Sequence, residues 1–255
     1  MRVVRAARSL AELDEPPELV VIAVPADEVP DVATEAAEHG AKALLILTAG
    51  FADRGDEGRE LEERVLEIVR GAGLRMVGPN CFGVLNTDPA VSLNATFAGA
   101  SVPAGRLAIC SQSGAIGIGL LGHAAGRRLG VSSFASLGNR ADVSTNDLLE
   151  LWEEDGRTAA VMLYVETFGN PERFARIAQR VSRRKPSSPS KAAGPRTAGA
   201  ARRRRIARRR CAATTRSTRS CSTPGSSGSR AARSSSTPPR SSRASPCRAA
   251  VASAS

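Results

Sequence analysis

The chain has 255 residues, with 36 Lys or Arg against 25 Asp or Glu and a net charge of +11. No apolar run approaches the roughly 20 residues that a bilayer-spanning helix needs, and no apolar signal core comes after Met1-Arg-Val-Val-Arg5, so a cytoplasmic protein with no membrane partner is expected. Five cysteines without a Cys-x-x-Cys pair and two separate histidines point away from a zinc site or a disulfide framework, and no metal ligands are expected.

The charge averages two unlike stretches. Residues 1–185 carry 20 basic and 25 acidic side chains, a net −5, whereas residues 186–255 carry 16 basic and no acidic ones. The body is rich in Val, Leu, Ile and Ala; the tail has no Leu and no aromatic residue. Such a tail cannot bury enough apolar surface to offset chain entropy, and it is expected to be disordered.

Residues 18–25 form a continuous apolar run bounded by Pro16-Pro17 and Pro25, as a strand buried on both faces requires. A helix is predicted over 27–39 and a second strand over 41–47. The next helix, 57–72, sets Leu61, Val65, Ile68 and Val69 at helical spacing among charges, and a third strand is predicted at 75–77. After a loop rich in Gly, Pro and Asn, a strand is predicted over 106–110, a glycine-rich helix over 115–129 and a strand over 131–136. A helix over 144–154, a strand over 159–165 and a helix over 171–183 complete the body. Strands alternating with helices of this length predict an α/β protein of parallel sheets wrapped by helices, in two layers divided near residues 99–105.

In open parallel sheets, ligands bind beyond the carboxyl ends of the strands. Those ends read Val24-Pro-Ala26, Leu47-Thr-Ala-Gly50, Gly78-Pro-Asn-Cys81, Ser111-Gln-Ser-Gly114, Leu137-Gly-Asn-Arg140 and Glu166-Thr-Phe-Gly169. The fourth is the most informative, because an apolar strand runs into a Ser/Gly turn that opens a helix. Unpaired N–H groups and the positive end of the helix dipole suit a phosphate there. The same four residues also read as a plain N-cap with a tight turn. Gly114-Ala-Ile-Gly117-Ile-Gly119 is not the dinucleotide order, and no acidic residue ends a suitable later strand, so a nicotinamide dehydrogenase is not expected.

Four rim segments in order, Met76-Val-Gly-Pro-Asn-Cys81, Ser111-Gln-Ser-Gly-Ala115, Leu137-Gly-Asn-Arg-Ala-Asp142 and Tyr164-Val-Glu166, resemble the CoA-ligating subunit of the succinyl-CoA synthetase superfamily. The resemblance is nearest to its NDP-forming acyl-CoA synthetase branch and runs from about Arg8 to Pro186. It implies a Rossmann-like CoA-binding domain over 1–100 and a flavodoxin-like domain over 104–185. It also implies a ligase reaction: an acyl phosphate forms, CoA displaces the phosphate, and a histidine carries the phosphoryl group to or from a nucleotide. ATP or another NTP with Mg would be held by an ATP-grasp partner domain or subunit, and the other substrate would be a small carboxylic acid. On this resemblance Val24, Pro25, Leu47, Thr48, Ala49, Gly50, Asn80 and Cys81 line coenzyme A. Ser111, Gln112, Ser113 and Gly114 face the phosphohistidine, and Glu166 matches the catalytic carboxylate that holds it. A carboxylate on one imidazole nitrogen orients the ring and raises the basicity of the other.

The chain departs from the family twice. It has no glycine before Gly40, so the glycine-rich turn that cradles the CoA phosphates is missing, and Arg2 to Leu13 resembles the segment that the family reaches only after its first βαβ unit. Neither histidine matches the phosphorylated position: His39 stands at a helix end and His123 inside the glycine-rich helix. After Lys185-Pro186 the family continues with a buried strand and a Ser-His turn, where this chain reads Pro-Ser-Ser-Pro-Ser-Lys191. Read from each codon's third base, that stretch permits Val-Val-Ala-Val-Lys, and residues 203–208 permit Ser-Ser-His-Ser-Ala. Residues 186–255 are therefore expected to be a frameshifted translation and the chain an inactive fragment. Two other readings stand: a non-catalytic CoA or acyl-CoA module like those fused to related lysine acetyltransferases, and a nonspecific nucleic-acid binder through Arg202 to Arg205 and Arg208 to Arg210. Without aromatics for stacking, specific nucleic-acid recognition is not expected.

Overall fold

The computed structural model describes residues 9–99, 101–191 and 249–252. Apolar runs flanked by turn residues form two sheets. In the first, β1 (Leu19–Ile22), β2 (Ala43–Ile46) and β3 (Arg75–Val77) run parallel, with β10 (Ala249–Ala252) on the outer edge of β1. The central strands have almost no polar residues because both of their faces are covered: Val20, Ile22, Leu44, Leu45, Ile46 and Met76 are all buried. The helices α1 (Val29–Glu38) and α2 (Asp56–Gly71) supply Val29, Ala33, Ala36, Val65 and Val69 to the same core, around Phe51.

The second sheet is centred on β6 (Ala104–Ser111), β7 (Val131–Ser136) and β8 (Ala160–Val165), all parallel. Its order is β5 (Leu93–Thr96), β4 (Gly83–Asn86), β7, β6, β8 and β9 (Ser187–Lys191). Three helices pack on it: α3 (Gly114–Gly126), α4 (Thr145–Glu154) and α5 (Pro171–Arg184). Leu149, Trp152, Ile177 and Val181 bury their apolar stripes against Val161, Leu163 and Val165, and the Trp152 indole N–H donates to Ser133 Oγ at 2.8 Å.

Three features depart from the expected layout. The stretch after β3 is not all loop, because β4 (Gly83–Asn86) and β5 (Leu93–Thr96) make an antiparallel hairpin whose first strand pairs antiparallel with β7. The second sheet thus recruits strands that precede residue 99, and it is mixed rather than wholly parallel. Of the tail expected to be disordered, the two pieces described after Pro186 are strands: β9 (Ser187–Lys191) lies parallel to β8, and β10 lies parallel to β1. Backbone N–H and C=O groups at an open sheet edge accept a partner whatever its side chains. The remainder of that expectation lies outside the described residues.

The two sheets are stitched along the outer edge of β3. The N–H of Val143 donates to Met76 O at 3.1 Å and that of Ala141 to Gly78 O at 3.2 Å, while the N–H of Met76 donates to Asp142 Oδ2 at 2.8 Å. Arg75 Nε closes the corner on the same carboxylate oxygen at 2.9 Å.

Candidate functional site

The carboxyl ends of β6 and β8 are adjacent strand ends, and the turn after β6 is tied to the end of β8 through one side chain. Gln112 is buried, and its amide is fully used. Its Oε1 accepts from the N–H of Glu166 at 2.8 Å and of Thr167 at 3.0 Å, while its Nε2 donates to Thr167 O at 2.9 Å and Thr145 Oγ1 at 3.1 Å. A buried amide with four partners fixes both segments, since losing any partner would leave a desolvated polar group. Ser111 is also buried, and its hydroxyl donates to Ser113 O at 2.6 Å, which folds the turn back on itself.

The turn feeds α3, whose N-cap Ser113 makes no side-chain capping bond. The first N–H groups of a 13-residue helix therefore start without a side-chain oxygen on them, at the positive end of the dipole. Gly114 leans on the ring of Phe82, so one wall of the turn is aromatic. Glu166, by contrast, is exposed, with its N–H held by Gln112. The turn of residues 111–114 and Glu166 are thus brought together.

A second group gathers at the ends of β1, β2 and β3. Thr48 Oγ1 donates to Val24 O at 2.6 Å and the N–H of Asn80 donates to Thr48 O at 2.9 Å, so these three rim segments form one ledge. Pro25 and Ala49 are exposed on it; Leu47, Thr48, Gly50 and Asn80 are half-buried. Two of the expected rim residues turn inward instead. Val24 is 5 % exposed and Cys81 2 %, the Cys81 thiol reaches Ile46 O at 3.2 Å, and burial pushes that thiol up to about 11. Beside Gly50 a cleft of about 210 Å³ is lined by Arg54, Glu57, Gly58 and Leu61.

Coenzyme A is a long amide-bearing arm with a phosphorylated nucleotide at one end. The ledge presents Pro25 and Ala49 to solvent among half-buried neighbours, and the cleft beside Gly50 carries one cation, Arg54, and one carboxylate, Glu57. Among the described residues no group of three or more His, Cys, Asp or Glu could hold a metal ion.

Asn139 and Arg140 lie in a rim segment marked from the sequence but had no role assigned to them, and Asp53 carried no sequence signal. Asn139, just after β7, is held on the ledge side: its Nδ2 donates to Glu62 Oε2 at 2.7 Å and its Oδ1 accepts from Asn80 Nδ2 at 3.3 Å. Burial opposes ionisation of Asp53, yet the N–H groups of Phe51 and Gly50 and the Asn139 amide together hold its carboxyl below the ordinary value. Arg140, with φ at 62°, donates to both oxygens of Thr167. The histidines lie where expected: His39 caps a helix end, with Nδ1 2.9 Å from Glu35 O, and His123 is exposed on α3.

Two family models match, a CoA binding domain over residues 1–87 and a succinyl-CoA ligase like flavodoxin domain over 104–210. The order of the two is the order of the two sheets. The chain belongs to the NDP-forming acyl-CoA synthetase family. It is 40% identical over 179 residues to the alpha subunit of ADP-forming acetate-CoA ligase I of Pyrococcus furiosus, covering 70% of this chain and 38% of that one. It is 38% identical over 183 residues to the ADP-forming acetate-CoA ligase of Methanocaldococcus jannaschii, covering 72% of this chain and 25% of that one. Among solved structures, the apo form of the dinucleotide-forming acetyl-coenzyme A synthetase 1 of Ca. Korarchaeum cryptofilum superposes with a TM-score of 0.68 at 38% identity, over 72% of this chain and 40% of that one. The chain thus spans well under half the length of these family members. No helix among the described residues is long and apolar enough to cross a membrane.

Proposed function

We propose that this chain is part of an NDP-forming acyl-CoA synthetase, which joins a small carboxylic acid to coenzyme A with hydrolysis of an NTP through a phosphohistidine. The observation that carries the reading is the pair of bonds from the Glu166 and Thr167 N–H groups to Gln112 Oε1, which bring a carboxylate-bearing strand end against an uncapped helix start. Glu166 would hold one nitrogen of the phosphorylated imidazole. The N–H groups just after Ser113 would receive the phosphoryl oxygens, with the dipole of α3 behind them.

Pro25, Leu47, Thr48, Ala49, Gly50 and Asn80 would line the CoA arm, with Val24 and Cys81 shaping the ledge from beneath. Coenzyme A, when bound, supplies the thiol that takes up the acyl group. Mg and the nucleotide would belong to an ATP-grasp partner domain or subunit, as would the choice of nucleotide base. With neither His39 nor His123 at the turn, this chain would not itself be phosphorylated.

The test is calorimetry of the chain with CoA, paired with labelled ATP, acid, CoA and a partner subunit. Heat of CoA binding without acid-labile phosphate on this chain is expected. Phosphate incorporation would overturn the claim that the essential histidine is absent, and loss of CoA binding would sink the assignment of the ledge. In Glu166→Gln the affinity for inorganic phosphate is expected to hold while that for a phosphorylated imidazole falls.

A further inference from the structure

Thr167 is gripped from two sides. Its N–H and C=O are taken by the buried Gln112 amide, and its C=O and hydroxyl by Arg140, whose Nη1 lies 3.3 Å from the Thr167 oxygen and Nη2 2.7 Å from Oγ1. Both Thr167 and the neighbouring Glu166 are exposed, so an ordinary loop at this place would move freely. Arg140 itself is not free to drift. It sits in left-handed backbone, its N–H donates to Leu137 O at 3.1 Å, and the preceding residue Asn139 is anchored on Pro79 O, Glu62 and Asn80. A non-glycine residue kept in that region by its surroundings is a common mark of a functional constraint.

We infer that Arg140 is a positioning residue for Glu166: it forks over Thr167 opposite Gln112, and the two together fix the direction of the Glu166 carboxylate. The inference rests on the assignment of Glu166 to an imidazole ring. Arg140 acts through Thr167 and touches no reacting atom, and because its loop is also held by Asn139, the CoA ledge and the Glu166 turn share one support. A planar guanidinium reaches both oxygens of one residue, which a lysine ammonium on a flexible stem does not reproduce.

The test uses the full chain with inorganic phosphate and N-phosphoimidazole as probes, each affinity read from amide shifts at the start of α3. Arg140→Ala and Thr167→Val change exposed or partly exposed side chains, so both variants keep the fold. Each is expected to lower the preference for N-phosphoimidazole over phosphate at least about fivefold, with phosphate affinity unchanged, because misplacing a catalytic group by a fraction of an ångström weakens only contacts that depend on its direction. Arg140→Lys is expected to recover only part of the preference, and the Arg140→Ala/Thr167→Val double variant to be no worse than either single one. Equal weakening of both probes in Arg140→Ala would make Arg140 an anion ligand and overturn the inference. Retained preference in these variants, with its loss in Glu166→Gln, would overturn the inference alone; no change in Glu166→Gln would overturn the imidazole assignment and the inference with it.

Discussion

A Cβ at position 114 would lie 1.9 Å from Cδ2 of Phe82, and one at position 138 would lie 2.1 Å from the carbonyl oxygen of Pro79. A ring can rotate aside, whereas a backbone oxygen cannot, and Gly138 also has φ at 55°. Gly138→Ala is therefore expected to destabilise the protein by more than Gly114→Ala, for which overpacking costs about 1–3 kcal/mol. Gly156→Ala, with open space around its Cβ, is the control in a denaturant titration. Gln112→Leu removes the partner of the Glu166 and Thr167 N–H groups, at about 0.5–1.5 kcal/mol per bond, and amide hydrogen exchange at 166 and 167 should accelerate while β6 stays protected. At this scale the turn itself was legible, because Ser-Gln-Ser-Gly after an apolar run has a local meaning. The work of Gln112 was not, since three of its partners are 54 or 55 residues away and the fourth 33. Cys81 was misplaced for the related reason that a residue beside a rim asparagine can face the core, and only packing decides which.

The two helices that flank the Glu166 turn carry explicit N-terminal caps. Ser144 and Asp147 form a reciprocal capping box on α4, and Asn170 Oδ1 accepts from the N–H of Arg173 at 2.9 Å on α5. Asn170→Ala is expected to lower stability by about 1 kcal/mol, read as a drop in melting temperature. Burial opposes ionisation of Asp147, but the Ser144 hydroxyl and N–H and the Arg173 and Arg75 charges outweigh it and hold its carboxyl below the ordinary value. Asp155 is likewise lowered against burial, by Thr158, the Arg157 N–H and nearby cations. A carboxyl depressed in the folded state stabilises above its unfolded pKa of about 3.9, and that stability drains as pH falls through the lower folded values. Acid unfolding should therefore steepen below about pH 4, and Asp147→Asn should flatten that part of the profile. Among the described residues, the five α-helices and six of the ten strands were readable from periodicity and turn residues. The hairpin β4-β5 was not, because Gly83-Val-Leu-Asn86 and Leu93-Asn-Ala-Thr96 are four-residue runs of mixed polarity whose register is set by β7, far along the chain.

Over the whole molecule, parallel strands and their helices were implied by the alternation, while the sharing of β4 and β5 with the second sheet was not, since a division of layers cannot be read from where a loop is richest in glycine. The last strand of that sheet sits in register with the Val161 to Val165 run of β8, yet its sequence is Ser187-Ser-Pro-Ser-Lys191, with Pro189 opposite Leu163. An edge strand tolerates proline, yet serine and proline are both poor strand formers, and this strand offers no apolar side chain but Pro189 to the buried run beside it. The alternative frame supplies Val-Val-Ala-Val at that place, which is what a strand beside β8 calls for. Sequencing the gene through the codon for Pro186 is expected to reveal a gained or lost base, and an unbroken frame on independent templates would refute the frameshift.

The stitching of residues 141–143 along β3 limits how this protein can be dissected. Cutting the gene between the two sheets, to express the CoA-side half by itself, would strip the outermost strand of its cover and present bare amide and carbonyl groups to any extended peptide nearby. Such a piece should self-associate, whereas the full chain, which keeps residues 141–143 on β3 and β8 on β6, should stay monodisperse in light scattering.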